Sequence, residues 1–193
     1  MTPLGAVGRG LLAGIAGTAA MTAWQEALAR LREPGDAQHD GGADADPWES
    51  ASAPARVARR ILEGVFGVEV PPERIPLLTH ATHWGYGTAW GAAYGLVQES
   101  VRARPAVHGP LFGAAVWAMS YVQLVPMGIY EPPWRYSPRE LAEDLSYHLV
   151  YGAGLAAAHA QLDRGRGRSR RVTSLAPPAA APRGRRRASS SAA

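Results

Sequence analysis

The chain has 193 residues, 20 arginines and no lysine, and its formal net charge is +4. This length predicts one domain, and the absence of cysteine excludes disulfides, thiolate nucleophiles and cysteine metal ligands. The charge divides into −4 over residues 1–162 (11 Arg, 15 acids) and +8 over residues 163–193 (nine Arg, one acid). The slightly negative mean hydropathy of −0.15 therefore averages two different regions.

Long stretches without Asp, Glu, Lys or Arg are the main pattern of the first 162 residues. They are Gly10–Gln25, Ile75–Gln98, Pro105–Tyr130 and Leu145–Leu162. About 20 apolar residues cross a bilayer as a helix, whereas helices of a soluble domain need a charged, solvated face. The sequence thus predicts an all-α fold, a polytopic transmembrane four-helix bundle. The spans are expected at about residues 8–28, 75–98, 107–130 and 140–162.

The first interhelical segment contains one short helix. Residues 36–53 are rich in Asp, Ala and Gly without periodicity, which predicts a flexible loop. Residues 55–66 then form an amphipathic pattern, and Ser52 is suited to cap that helix. Two interpretations remain open: the helix lies in the lipid headgroup region, or it packs over the end of the bundle.

Small residues recur at helical spacing in the second and third predicted spans. Gly87, Gly91 and Gly95 are four residues apart, and Gly109 and Gly113 repeat that spacing. In lipid, helices associate through close backbone contact, which such spacing permits. We therefore expect these faces to pack helices together, within one chain or in a homo-oligomer.

A proline-rich loop joins the third and fourth predicted spans. Its distinctive residues are Pro126, Met127, Gly128, Pro132, Pro133 and Trp134. Proline restricts the backbone, so a rigid surface loop or re-entry is expected. The fourth span then opens with Ser137 as a cap and Pro138 at the first helical position.

Arginine distribution predicts the orientation in the membrane. An even number of spans puts both termini on one side, which would hold 12 arginines against eight on the other. Cytoplasmic loops carry the excess of positive charge, so both termini are expected in the cytoplasm. The tail, residues 163–193, is expected to be disordered and to contact anionic lipid rather than nucleic acid.

Ionisable residues near the starts of the second and fourth spans form the candidate polar cluster. They are His80, His83, Glu140, Glu143, Asp144 and His148. Because these two spans run in the same direction, their starts share one leaflet. Asp144 and His148 are four residues apart, so that the carboxylate can orient the imidazole, as at metal sites and in proton relays.

Three interpretations of this cluster remain open. The first is a transition-metal site of His80, His83, His148 and one acid, and the second is a pH-responsive relay through the same groups. The third is that each histidine only joins helices or lies at the headgroup boundary. No phosphate-binding loop, Gly-x-Ser-x-Gly elbow or His-Glu-x-x-His motif indicates a reaction.

The order of these motifs resembles that of the YagU-like family of small bacterial inner-membrane proteins, whose biochemical function is not established. The resemblance covers residues 57–160. Its elements are Thr79–Trp84, Tyr94-Gly95, Pro126-Met127-Gly128, Pro132-Pro133-Trp134, and Asp144 followed by His148-Leu149-Val150. It implies a multi-pass protein of the bacterial inner membrane and supplies no substrate. The expected function is a membrane-embedded binding or pH-responsive module; a metal-dependent membrane enzyme and a small transporter subunit are the alternatives.

Overall fold

The computed structural model describes residues 2–32, 46–100 and 105–174, and in these ranges all regular structure is helical. The helices are α1 (Pro3–Leu31), α2 (Ala53–Phe66), α3 (Ile75–Ser100), α4 (Pro105–Leu124) and α5 (Pro138–Ser174). Short 3₁₀ turns occupy Pro72–Arg74 and Pro133–Arg135. The all-α class is confirmed.

Four of the helices correspond to the predicted spans, with different limits. α1 packs against α3 and α5, α4 packs against α5, and α2 packs on α3. α4 ends at Leu124, and residues 125–130 belong to the following loop rather than to the span. α5 continues past Leu162 to Ser174, so the first part of the segment expected to be disordered is helical. Residues 175–193 lie outside the described ranges.

Length and hydropathy single out α1 as a candidate membrane span. Among the helices within residues 2–32, 46–100 and 105–174, it alone combines sufficient length with a sufficiently apolar 18-residue window, of which 44% is buried in the protein. A buried core helix or a signal sequence has the same properties. The crossing of a membrane by four helices therefore stays a prediction.

Glycines set the distance between α1 and α3. A Cβ atom added to Gly14 would lie 2.9 Å from the carbonyl oxygen of Gly87 and 3.0 Å from the Cα of Gly91. One added to Gly91 would overlap the backbone of Gly10 and Gly14. The stripe therefore lies at the contact of α1 with α3, where only hydrogen fits between the two backbones.

The predicted glycines of α4 pack in the same manner. A Cβ added to Gly109 would lie 2.6 Å from the carbonyl oxygen of Gly152, and one added to Gly113 would overlap the carbonyl of His148. These glycine faces are therefore occupied within the chain. A homo-oligomer, which stays a prediction, would need a different face.

α2 packs over one end of the bundle. Its Arg56 donates to the carbonyl oxygens of Gly128 and Ile129, both at 3.2 Å, which ties α2 to the loop after α4. Ser52 precedes α2 but makes no capping bond; its hydroxyl instead lies 2.8 Å from that of Thr79 on α3. The geometry favours the second of the two interpretations of this helix.

The segment before α2 is more ordered than expected in the part that the structure describes. Residues 46–51 form a turn, and Trp48 is buried with the guanidinium of Arg59 4.7 Å from its ring. Cation–π contact of this kind is favourable by about 0.5–2 kcal/mol. Residues 36–45 of the predicted flexible loop lie outside the described ranges.

Candidate functional site

A cavity of about 580 Å³ lies beneath α2, and all five helices contribute to its wall. Its lining is mostly apolar, with polar groups from α3, α4 and α5. The residues most relevant to binding are His83, Tyr86, Ser120, Gln123, Met127, Tyr130, Asp144, His148 and Tyr151. Small-molecule sites typically have volumes of about 300–1,000 Å³ and few polar groups. We call this region the cavity end of the bundle.

Asp144 is held at the cavity by two donors from α4. Its Oδ2 accepts a hydrogen bond from the Trp117 indole at 2.9 Å and another from the Tyr121 hydroxyl at 3.1 Å. The other oxygen, Oδ1, accepts no hydrogen bond from the described residues and lies 3.7 Å from Nδ1 of His148. One carboxylate oxygen is thus fixed by the protein, and the other is available to a ligand.

His148 differs from the expected carboxylate–imidazole pair. Its Nδ1 lies 2.9 Å from the backbone carbonyl oxygen of Asp144, a shorter distance than to the carboxylate. Because a carbonyl oxygen only accepts, Nδ1 carries the hydrogen of this bond and donates it to the backbone. The spacing correctly placed the two residues together, but Trp117 and Tyr121 orient the carboxylate.

His83 is the histidine of α3 that faces the bundle. It lines the cavity, and its Nε2 lies 3.3 Å from the hydroxyl of Thr22 on α1. His80 is exposed and does not line the cavity. Of the two histidines in the His-x-x-His pattern, only His83 therefore belongs to the site.

The two glutamates near the start of α5 also lie outside the cavity lining. Glu140 and Ser137 form a capping box: the Ser137 amide donates to the glutamate at 2.7 Å, and the Glu140 amide donates to the serine hydroxyl at 3.3 Å. The Ser137 amide, with its hydroxyl, lowers the pKa of Glu140. The Glu143 carboxylate accepts hydrogen bonds from Tyr147 and Arg32.

The expected metal-ligand set does not form. Within the described ranges, no three His, Cys, Asp or Glu side chains are placed to ligate one ion. His80 faces outward, Glu140 caps a helix, and Glu143 bonds Arg32 and Tyr147. The structure does not bring the suggested ligands together, because helix rotation separates residues that sequence spacing groups together.

The proline-rich loop forms the rim of the cavity. Met127 and Tyr130 line it, and Gly128 adopts a φ of 65°, which a residue with a side chain rarely adopts. Burial, followed by the Asp144 carboxylate, raises the pKa of Tyr130, so that its hydroxyl stays protonated. Pro132 precedes the 3₁₀ turn that begins at Pro133, and the adjacent Trp134 is 82% exposed.

A second polar cluster, which the sequence did not predict, lies at the opposite end of the bundle. Arg9 is only 6% exposed, and its Nε lies 3.3 Å from Oδ1 of Asp163. Nδ1 of His159 lies 3.4 Å from Oδ2 of the same acid, and the ring of Tyr94 packs on His159. We call this the arginine end. The spacing of four residues between His159 and Asp163 is the sequence signal for this cluster. A tail that begins at residue 163 separates the two residues and hides that signal.

No family model, curated protein or solved structure matches this chain.

Proposed function

We propose that this chain is a multi-pass protein of the bacterial inner membrane that binds a small molecule in the cavity beneath α2. The membrane part is supported by the uncharged lengths of α3, α4 and α5 beside α1. The 20 residues of α4 would measure about 30 Å as a helix, the thickness of a bilayer core. Trp, Tyr and Gly lower the hydropathy of α3 without adding charge, and the aromatic residues suit membrane interfaces.

Apolar side chains on the outer surface also support insertion. Leu12, Leu77, Leu111 and Val122 are each more than half exposed. Water-facing helices would carry charges at such positions, and large exposed apolar patches indicate an interaction surface. Backbone contact through glycine is the form of helix association that lipid favours. Lipid is therefore the environment that best suits this surface.

Extraction of membranes at alkaline pH tests insertion. Full-length protein should stay in the pellet after sodium carbonate treatment and enter solution only with dodecylmaltoside. Recovery of a dispersed monomer in the carbonate supernatant would overturn the membrane part of the proposal.

The binding part rests on one observation, a carboxylate oriented by the protein within a largely apolar cavity. Burying a charge is costly, and here Trp117 and Tyr121 fix one oxygen of Asp144 while the other accepts no bond from the described residues. This arrangement suits a site that binds a hydrogen-bonding or charged group of a ligand.

Binding is better supported than transport or metal catalysis. A transporter needs a path through both leaflets, whereas the core between the two ends is closed by Tyr94, Tyr151 and Leu155, which are at most 2% exposed. A metal enzyme needs a ligand set that the described residues do not form. The proposal includes membership of the YagU-like family, since His83, Met127, Asp144 and His148 from its motifs all line the cavity.

The absence of cysteine permits a direct test of the cavity. Ser120→Cys places a thiol on the lining, Ala156→Cys places one in the closed core, and Trp134→Cys places one on the exposed loop. In native membranes, N-ethylmaleimide should modify the first and third variants and spare the second, as measured by intact mass. A Ser120→Cys thiol as unreactive as that of Ala156→Cys would contradict an accessible binding cavity.

A further inference from the structure

We propose that the ligand of this cavity is an organic cation: a protonated amine or quaternary ammonium group attached to an apolar body. This inference rests on the proposed binding function and specifies its ligand class. It follows from the charges of the lining residues, the neighbours of Asp144 and the chemistry of the surrounding side chains.

The lining carries negative charge without a resident cation. Asp144 is its one acid, and none of the described residues that line the cavity is an arginine. Two of the three arginines of α2 are engaged elsewhere: Arg56 bonds the carbonyls of the loop, and Arg59 bonds Glu63 and packs on Trp48. An anionic ligand would therefore meet repulsion, whereas a cation would supply the missing partner of the carboxylate.

The opposite end of the bundle shows how this protein neutralises an acid of α5. There Asp163 has Arg9 at 3.3 Å. At the cavity end, the side chain paired with Asp144 that can carry a positive charge is His148, which lies 3.7 Å from Oδ1 with its Nδ1 directed to a backbone carbonyl at 2.9 Å. No arginine is among the described residues that line the cavity beside Asp144.

The apolar part of the lining defines the rest of the ligand. Val57 and Ile61 of α2 and Val116 of α4 form much of the apolar wall, and the tyrosine rings of α3, the loop and α5 add aromatic surface. Aromatic rings attract organic cations by about 0.5–2 kcal/mol. A hydrated inorganic ion is disfavoured here, because Mg²⁺ and Ca²⁺ require several oxygen ligands.

A pair of probes with the same shape and opposite charge tests this class. Ser120→Cys protein in dodecylmaltoside is treated with N-ethylmaleimide in the presence of tetraphenylphosphonium or tetraphenylborate. We expect the phosphonium to slow modification in a saturable manner and to be at least about tenfold more effective than the borate, equivalent to about 1.4 kcal/mol.

Substitution of the carboxylate provides the second arm. Asp144→Asn in the Ser120→Cys background keeps an oxygen for Trp117 and Tyr121, and should weaken protection by the phosphonium at least about tenfold. Glu143→Gln is the matched control, because this neighbouring acid bonds Arg32 and Tyr147 and does not line the cavity. Unchanged N-ethylmaleimide reactivity without probe shows that each variant retains the cavity.

The outcomes separate the two proposals. If Ser120→Cys is unreactive without any probe, the accessible cavity itself is absent and the proposed function fails. If the thiol reacts but neither probe protects it, if both protect equally, or if Asp144→Asn leaves protection unchanged, the cation inference is overturned while the cavity remains.

Discussion

The two ends of the bundle contain the same pair of residue types on the same helix. α5 carries Asp144 and His148 at one end, and His159 and Asp163 at the other, each pair four residues apart. At the arginine end, a buried arginine from α1 approaches the acid, and the Tyr94 ring of α3 packs on the histidine. At the cavity end, indole and hydroxyl donors hold the acid beside open space. Neighbours on other helices therefore decide whether such a pair is structural or available to a ligand.

The largest effect is expected from separating the helices on which both ends depend. Gly91→Leu would force side-chain atoms into the backbone of α1, so we expect little folded protein. Gly85→Leu, on the same helix with nothing within 4 Å of an added Cβ, is the control. Yield in membranes and a monodisperse peak in dodecylmaltoside measure both. Equal yields would mean that α1 and α3 are not in glycine contact.

Weakening the core between the two ends should have the next largest effect. Leu155 is fully buried, so Leu155→Ala should lower the free energy of unfolding by about 2–5 kcal/mol. Leu111→Ala, at a position 63% exposed, should change it by about 0.5 kcal/mol or less. Unfolding in mixed dodecylmaltoside–dodecylsulfate micelles gives both values. Similar losses in the two variants would indicate that the two ends are not separated by a packed core.

Removing the arginine tests the structural assignment of the arginine end. Arg9→Met leaves Asp163 without that cation and should cost about 2 kcal/mol, below the 3–5 kcal/mol of fully buried pairs because the acid is 39% exposed. Arg30→Met, at a side chain 82% exposed, is the control. In contrast, Asp144→Asn should cost only about 1 kcal/mol, since the amide oxygen still accepts hydrogen bonds. A larger loss for Asp144→Asn than for Arg9→Met would reverse the assignment of the two ends.

The smallest effect concerns pH at the rim of the cavity end. Because the folded state lowers the pKa of Glu140, its capping box stabilises the protein above the ordinary value of 4.5, and this contribution is lost as pH falls below it. Wild type should exceed Glu140→Gln in melting temperature at pH 7, and the difference should shrink toward pH 3.5. Glu131→Gln, on the preceding loop, controls for removal of a surface charge. A difference that stays constant with pH would contradict the cap.

The sequence predicted what depends on local spacing. The helical class, the glycine faces, the Ser137 cap and the proximity of Asp144 to His148 all follow from neighbours within one or two turns. The structure is consistent with each of them. These features can be read from the sequence because helix geometry alone fixes them.

What the sequence did not predict depends on helix rotation and on contacts across the bundle. His80 and His83 differ in exposure although both precede the glycine stripe. The donors to Asp144 come from α4, 27 and 23 residues earlier in the chain. Arg9 and Asp163 are separated by almost the whole described chain, so no spacing rule could join them.

The central proposal is that the bundle crosses the membrane. Because both termini are expected in the cytoplasm, the cavity end, where α1 ends and α3 and α5 begin, would lie outside it. Single cysteines at Trp134, on the loop of the cavity end, and at Gly8, on the exposed surface of α1 at the arginine end, test it in intact cells. A membrane-impermeant maleimide should label Trp134→Cys directly and Gly8→Cys only after permeabilisation. Labelling of both only after permeabilisation, with the protein in the soluble fraction, would contradict the account.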